Sequence, residues 1–251
     1  MIKVKRITTI NEKVVVPVNY VPINVMSWNK TNEFYQFSPY HLRTDGDEKQ
    51  LNNGNIIFEN FWQGSKVFDE ICSIDVYPNW RQRNNPKQLI WHYTATNNCE
   101  KHYDKETKTI SAKYFEWRNS IWNCQKAIRY PNGYNKRSKV LFSLYISLNN
   151  VEHLDYIQSR KMIYFNEYCR LIRKLPIYNK LLGRLKNNEN LCILEIDVPT
   201  KGKKGLYGKN VNDDNTYDCT LERINALLED PSEPFGHGLC IVHCLLMDKE
   251  K

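Results

Sequence analysis

Three groups of residues have the types and spacing for chemistry. The first lies between Ile57 and about Ser73, a stretch that reads as a helix. At about 100° per residue, Glu59, Gln63, Lys66 and Glu70 fall on one side. Ile57, Phe61, Gly64, Phe68 and Ile71 fall on the other. Such a helix buries its apolar face and presents a carboxylate, an amide and an ammonium on a narrow stripe. Trp62 flanks that stripe. Lys66, two helical turns beyond Glu59, is placed to hold a phosphate or to pair with Glu59.

The second group is the run Cys192 to Pro199, CILEIDVP. Its alternation predicts a strand, with Cys192, Leu194, Ile196 and Val198 on one face and Glu195 and Asp197 on the other. Two carboxylates side by side suit acid–base work or the binding of ribose hydroxyls. The competing reading is an edge strand with its polar face in water.

The third group opens the last expected helix, from about His237 to Leu246. Gly236-His237-Gly238 would present backbone N–H groups to an anion. A capping turn is the commoner use of such glycines. His237, Cys240, His243 and Cys244 form the one metal-like cluster. Zinc ligands show cleaner paired spacing, and no CxxC occurs among the 8 cysteines, so small buried thiols are expected instead. The densest basic patch, Lys201 to Lys209, reads as a solvated loop or a phosphate-contacting one.

The elements that must position these groups are legible in outline. The first thirty residues hold Pro-punctuated β-branched runs, VVVPV and YVPINV, which fit edge strands or loops. Asp45-Gly46 and Asn53-Gly54 mark turns. Tyr114 to Ile128 is an expected helix with Trp117 and Trp122, stopped by Pro131 and Gly133. Lys139 to Leu148 alternates as a strand. A helix is expected from Glu152 to Leu175, ended by Pro176, and another from Ile177 to Lys186. Thr220 to Leu228 is a further helix. The expected fold is α+β: one helix-rich domain over 1–251 around a small mixed sheet, with an extended segment over 1–30. A split near Pro131 to Lys139 has no linker-like composition behind it.

The chain has 251 residues, 41% hydrophobic and 12% aromatic, which excludes a disordered chain as the default. No run approaches the roughly 20 apolar residues of a membrane span. The opening MIKVKRITTI has no apolar core of signal-peptide length, so a cytoplasmic protein is expected. The formal charge of +8 favours anionic partners such as nucleotides, nucleic acid or phosphosugars without choosing among them.

Two segments taken together carry a resemblance. Glu33-Phe34-Tyr35-Gln36-Phe37-Ser38-Pro39-Tyr40 leads through Leu42 to Asp45-Gly46. Glu59-Asn60-Phe61-Trp62-Gln63-Gly64-Ser65-Lys66 follows. This resembles the opening of the NADAR, or YbiA-like, family: an acidic-aromatic segment and an Asp-Gly turn, then a helix reading Glu, two aromatics, Gln, a small residue and Lys. The likeness spans Glu33 to Lys66. Downstream, Leu194-Glu195 fits the family's Leu-x-Glu strand, Asp197 comes early, and Tyr207-Gly208 stands where Trp-Gly would be. Gly236-His237-Gly238-Leu239 departs from the family's closing Gly-x-Asn-x-Leu-Gly. The sequence looks like a divergent member, in a phage or viral style of composition.

The resemblance implies N-glycoside chemistry that needs no metal or redox cofactor. The implied substrate is ADP-ribosyl-guanine in a nucleotide or nucleic acid, or a phosphorylated N-riboside. Departure of an N-linked base develops positive charge on the ribose carbon. A carboxylate beside it stabilises that charge or activates water, as in glycoside hydrolysis. A carboxyl set against aromatic rings is also tuned for proton transfer. Glu59, beside Phe58 and Trp62, is the first catalytic candidate, with Glu195 or Asp197 as the second carboxylate. Lys66, Gln63, His237 and Tyr207 are candidate substrate contacts, and Trp62, Trp117 or Trp122 would stack on the base. Phe34, Phe37 and Tyr40 fit a pocket wall or core. Two alternatives stand beside this: a nucleotide- or ADP-ribose-binding module without turnover, and a nucleic-acid-binding or modifying protein of another kind.

Overall fold

The computed structural model describes residues 1–8, 14–27, 32–46, 54–78, 90–129, 140–147, 150–201 and 208–251, with the backbone alone for 71–78, 90–99 and 129. In chain order its strands are β1 (Ile2–Arg6), β2 (Tyr20–Asn24), β3 (Lys66–Phe68), β4 (Glu70–Pro78), β5 (Ile90–Lys101), β6 (Tyr103–Asp104), β7 (Thr109–Ile110), β8 (Ala127–Arg129), β9 (Val140–Ser147), β10 (Asn150–Leu154), β11 (Asn190–Glu195) and β12 (Thr216–Asp218). Its α-helices are α1 (Phe58–Gly64), α2 (Ala112–Asn123), α3 (Tyr156–Ser159), α4 (Asn166–Ile172), α5 (Pro176–Lys186), α6 (Leu221–Glu229) and α7 (His237–Lys249). The fold is α+β with mixed sheets. The chain gathers into two compact units, Met1–His41 with Arg160–Lys251, and Leu42–Ser159. Among the described residues, no helix is long and apolar enough to cross a membrane.

The first unit is built on a sheet of order β12-β1-β11-β2. β11 runs parallel to both β1 and β2, and β12 pairs antiparallel with β1. Leu191, Cys192, Ile193 and Leu194 are all buried, because a central parallel strand is covered on both faces. This corrects the edge-strand reading of CILEIDVP. The strand also ends at Glu195, so Glu195 and Asp197 do not share a strand face. Asp197 lies exposed in the bend beyond. β2 takes the sheet edge, where Pro22 needs no ladder donor. α7 packs on β11, α4, α5 and α6. It is apolar nearly all round, from Leu239 to Leu245, as a helix inside a core must be.

The second unit holds an antiparallel sheet β10-β9-β3, a sheet β4-β5-β8 and the small pair β6-β7. Val67, Phe68, Tyr114, Trp117, Ile121, Ile128 and Leu144 form its core. The helix expected over 57 to 73 stops at Gly64. The Ser65 hydroxyl donates to the Trp62 carbonyl at 2.8 Å, and Leu144 N–H then takes the Ser65 carbonyl at 2.7 Å. Val67 and Phe68, β-branched and aromatic, continue as β3 against β9. Lys66 therefore stands on a strand rather than on the helix that carries Glu59. The helix expected to reach Ile128 ends at Asn123, and Ala127–Arg129 pair with β5 instead.

The helix expected from Glu152 starts at Tyr156, since Asn150–Leu154 form β10. Asp155 and Gln158 make a reciprocal cap. Gln158 N–H donates to Asp155 Oδ1 at 2.8 Å and Asp155 N–H to Gln158 Oε1 at 2.9 Å. Further on, helix α5 opens at Pro176, α6 is capped by Thr220, and α7 opens at His237, near the expected starts. The stop at Pro131 and Gly133 lies outside the described residues.

Candidate active site

The Glu59 motif is held from both ends. Phe58 N–H donates to the Leu42 carbonyl at 2.8 Å, and Thr44 N–H to the Ile56 carbonyl at 2.8 Å. The Asp45-Gly46 turn and the start of α1 are therefore tied side by side. Gly46 and Gly54 take φ of 81° and 75°, the left-handed region that glycine tolerates. Asn60, wholly buried, stitches α1 to the segment before β8. Its amide donates to the carbonyls of Cys124 at 3.2 Å and Lys126 at 2.9 Å, and its oxygen accepts from Ile128 N–H at 2.7 Å.

On this support Glu59, Gln63 and Lys66 form a directed chain. Gln63 Nε2 donates to Glu59 Oε1 at 2.8 Å, and Lys66 Nζ donates to Gln63 Oε1 at 3.0 Å. The two ends fix the amide orientation, since an ammonium only donates and a carboxylate needs a donor. Glu59 and Gln63 are each 6% exposed, so water competes little for these bonds. The Lys66 ammonium also lies 4.8 Å from the centroid of the half-buried Trp62 ring. Three of the residues singled out on one stripe are brought together, although one has changed element. The result is an oriented carboxylate two side chains from an ammonium seated on an indole.

The two tryptophans of α2 have different surroundings. Trp117 is 5% exposed and packs edge-on to Phe68 at 5.9 Å and His102 at 5.6 Å. It fills the core. Trp122 is half-buried and tilts against Phe61 of α1 at 5.7 Å. A Cβ on Gly64 would stand 2.4 Å from Trp122 Nε1, so the small residue of the motif admits this indole. Arg118 stacks its guanidinium 4.5 Å from the same indole.

In the other unit, Glu195 and His237 form a buried pair. His237 Nδ1 meets Glu195 Oε2 at 2.8 Å, and Gly238 N–H donates to that oxygen at 2.9 Å. Glu195 Oε1 accepts from Ile196 N–H at 2.7 Å. His237 Nε2 faces the Val25 carbonyl at 2.6 Å. The anion at the α7 N-terminus is thus the chain's own carboxylate. Burial opposes charge on Glu195, yet the His237 charge and the three donors hold its carboxyl below the usual range. Burial likewise opposes the imidazolium of His237, and Glu195 with the Val25 carbonyl raises it above its usual value. Gly236 and Gly238 are required by close approach. A Cβ on Gly236 would meet Asp197 Cβ at 2.9 Å, and one on Gly238 would meet Glu195 Oε2 at 3.0 Å.

The other sequence candidates separate. Tyr207 and most of the Lys201 to Lys209 patch lie outside the described residues, while Lys201 pairs with Asp213 at 2.7 Å. Phe34 and Phe37 are core residues, and Tyr168 donates to the Phe37 carbonyl at 2.5 Å. Cys169, Cys192, Cys219, Cys240 and Cys244 are buried free thiols. Among the described residues no group of three or more His, Cys, Asp and Glu side chains is arranged to hold a metal. His243 Nε2 instead meets Asn225 Oδ1 at 3.0 Å. Sequence reasoning missed Asn60 and Arg118. An Asn inside a helix pattern and an Arg between aromatics, at i+4 to Tyr114 and i−4 to Trp122, were the signals available. Comparison with known proteins finds no matching family model, curated protein or solved structure.

Proposed function

We propose that the chain is an N-glycosidase that cleaves an N-ribosidic bond in ADP-ribosyl-guanine, as nucleotide or nucleic acid, or in a related N-riboside phosphate. The observation that carries the reading is the directed chain from Lys66 through Gln63 to Glu59. In the reaction a water oxygen bonds to the anomeric carbon, and the C–N bond breaks with its electron pair passing to the base nitrogen. Glu59 takes the proton that the water loses and faces the positive charge developing on the sugar. The base nitrogen is protonated from solvent. Lys66 offers its charge to the phosphate arm. The resemblance over Glu33 to Lys66 supports the same chemistry.

The test is release of base and sugar phosphate, followed by chromatography. The substrates are ADP-ribosylated guanine DNA, ADP-ribosylated guanosine and a riboflavin-pathway N-riboside. Glu59→Gln is expected to lower release by about 10²–10⁴-fold, the usual worth of a positioned base. Full activity in that variant would remove Glu59 from the chemistry.

One observation favours a second reading, nucleotide binding without turnover. Both oxygens of Glu195, one of the two candidates for the second carboxylate, are taken by internal donors. Calorimetric binding of ADP-ribose with no release from any substrate would support it.

A further inference from the structure

The β10-β9-β3 sheet has an apolar face and a mostly polar one. Directly opposite residues of antiparallel strands share a face. Val67 opposes Phe142 and Leu144 opposes His153, on the side that joins the core of this unit. Lys66 opposes Ser143 and Tyr145 opposes Glu152, on the other side. β9 also runs past the start of β3. Leu144 N–H donates to the Ser65 carbonyl at 2.7 Å, so Tyr145 comes alongside the end of α1, next to Gln63. Tyr145 is thus the diagonal neighbour of Lys66, and such neighbours lie roughly 7–8 Å apart, within reach of aromatic and long side chains. The Lys66 side chain leans the same way, since its ammonium donates to Gln63 Oε1 at 3.0 Å. Ser143 is 3% exposed, whereas Lys66, Tyr145 and Glu152 are half-buried. The row is polar and sheltered, with an aromatic ring and an ammonium still partly open.

A nucleotide needs both: a cation for its phosphate and an aromatic face for its base. The tryptophans considered for the base are engaged elsewhere. Trp117 is a core residue at 5% exposure, and Trp122 is packed between Phe61 and the Arg118 guanidinium. The Trp62 ring carries the Lys66 ammonium at 4.8 Å. Side chains on a strand stand roughly perpendicular to the sheet, so the Tyr145 ring rises from the polar face beside Lys66.

We propose that Tyr145 is the platform on which the base of a nucleotide stacks while Lys66 holds its phosphate. That the stacked base is the one released rests on the N-glycosidase reading. Nucleotide binding on this face does not.

The experiment is calorimetric titration of the full chain with guanosine monophosphate and, separately, with ribose 5-phosphate, which has the phosphate without the base. Wild type is expected to bind the nucleotide about tenfold more tightly, as one stacked base warrants. Tyr145→Val keeps a β-branched residue on the strand and removes the ring. It is expected to weaken nucleotide binding about tenfold, down to the affinity for ribose 5-phosphate. Tyr145→Phe keeps the ring and is expected to stay within twofold of wild type. Lys66→Met is expected to weaken both probes. Equal or absent binding of the two probes by wild type, or unchanged nucleotide binding in Tyr145→Val, overturns the proposal. So does a loss in Tyr145→Phe as large as in Tyr145→Val, which would assign the effect to the hydroxyl. Should Tyr145→Val fail to fold by circular dichroism, Tyr145→Leu decides by the same criterion. Nucleotide binding that depends on Tyr145, with no base release from wild type, would keep the platform and sink the glycosidase reading. Base release by wild type, with nucleotide affinity unchanged in Tyr145→Val, would do the reverse.

Discussion

His237 joins two distant parts of the first unit through opposite edges of one ring: Nδ1 meets Glu195 Oε2 at 2.8 Å, and Nε2 meets the Val25 carbonyl at 2.6 Å. A carbonyl only accepts, so Nε2 carries a proton. A carboxylate held by Ile196 and Gly238 N–H groups also accepts, so Nδ1 carries the other. The ring is an imidazolium and the pair is ionic.

The pH dependence of stability follows. Glu195 is shifted down, so its contribution is present above the unfolded carboxylate range, about 4.3, and is lost as pH falls through its folded value. His237 is shifted up, so its contribution is full below about 6.5 and is lost as pH rises through its folded value. The urea midpoint of wild type is expected to peak between these limits. Breaking one side, as in Glu195→Gln, is expected to cost about 3–5 kcal/mol near pH 6. The double variant Glu195→Gln/His237→Gln is expected to flatten both limbs. A wild-type midpoint that climbs steadily from pH 6 to 9 would contradict the ionic assignment.

The glycines give a sharper structural contrast. Gly238→Ala drives a methyl against Glu195 Oε2 and Cβ at 3.0 Å, and Gly236→Ala against Asp197 Cβ at 2.9 Å. Each is expected to cost about 1–3 kcal/mol, as overpacking does. Gly183 lies within α5, and a Cβ there meets nothing within 4 Å. Gly183→Ala is expected to stabilise by about 0.5–1 kcal/mol. Thermal melts of the three variants under one buffer settle the ranking. Equal effects would mean that the glycines of α7 are not packed as described.

Asp248 anchors the end of α7. Its Oδ2 accepts from Arg173 Nε and the Tyr178 hydroxyl, both at 2.7 Å, and its Oδ1 from Lys251 Nζ at 3.0 Å. Burial works against its charge, yet these three donors push its carboxyl down to about 2. The contribution is present above the unfolded value near 3.9 and is lost as pH falls through about 2. Asp248→Asn is expected to lose about 2 kcal/mol at pH 7, and the gap to wild type should close between pH 4 and 2. A constant gap over that range would place the effect in packing instead.

What the sequence disclosed depended on how local the cause was. Glu59 and Gln63 were legible because i and i+4 on one helix meet wherever that helix goes. Lys66 joined them for a reason the periodicity did not contain, because the chain leaves the helix at Gly64 and turns into β3. The alternation of CILEIDVP suggested two faces of unlike polarity. Its central place between β1 and β2, with the last helix packed on it, is a property of partners far away in the chain. The same distance hid the use of Gly236-His237-Gly238: an anion site was read there, and its anion is a glutamate 43 residues earlier than Gly238. Asn60 stayed invisible because its three partners lie 64 to 68 residues away.

Variants at Gln63 separate positioning from chemistry at Glu59. Gln63 is a positioning residue: its amide turns Glu59 Oε1 toward itself at 2.8 Å and its oxygen holds Lys66 at 3.0 Å. Gln63→Leu keeps the size and the helix while removing both bonds. On the N-glycosidase reading it is expected to lower kcat for base release about tenfold, because the carboxylate loses its fixed orientation. Its effect on KM should be smaller, since Lys66 keeps its charge and its seat on Trp62. Gln63→Glu places a carboxylate against Glu59 and is expected to be worse, with activity partly recovered as pH falls and one of the two is protonated. A merely structural role would lower the melting temperature of both variants and leave the pH profile of the surviving activity unchanged. A tenfold loss in Gln63→Leu at an unchanged melting temperature, with a shifted profile in Gln63→Glu, assigns the amide to holding Glu59 in place.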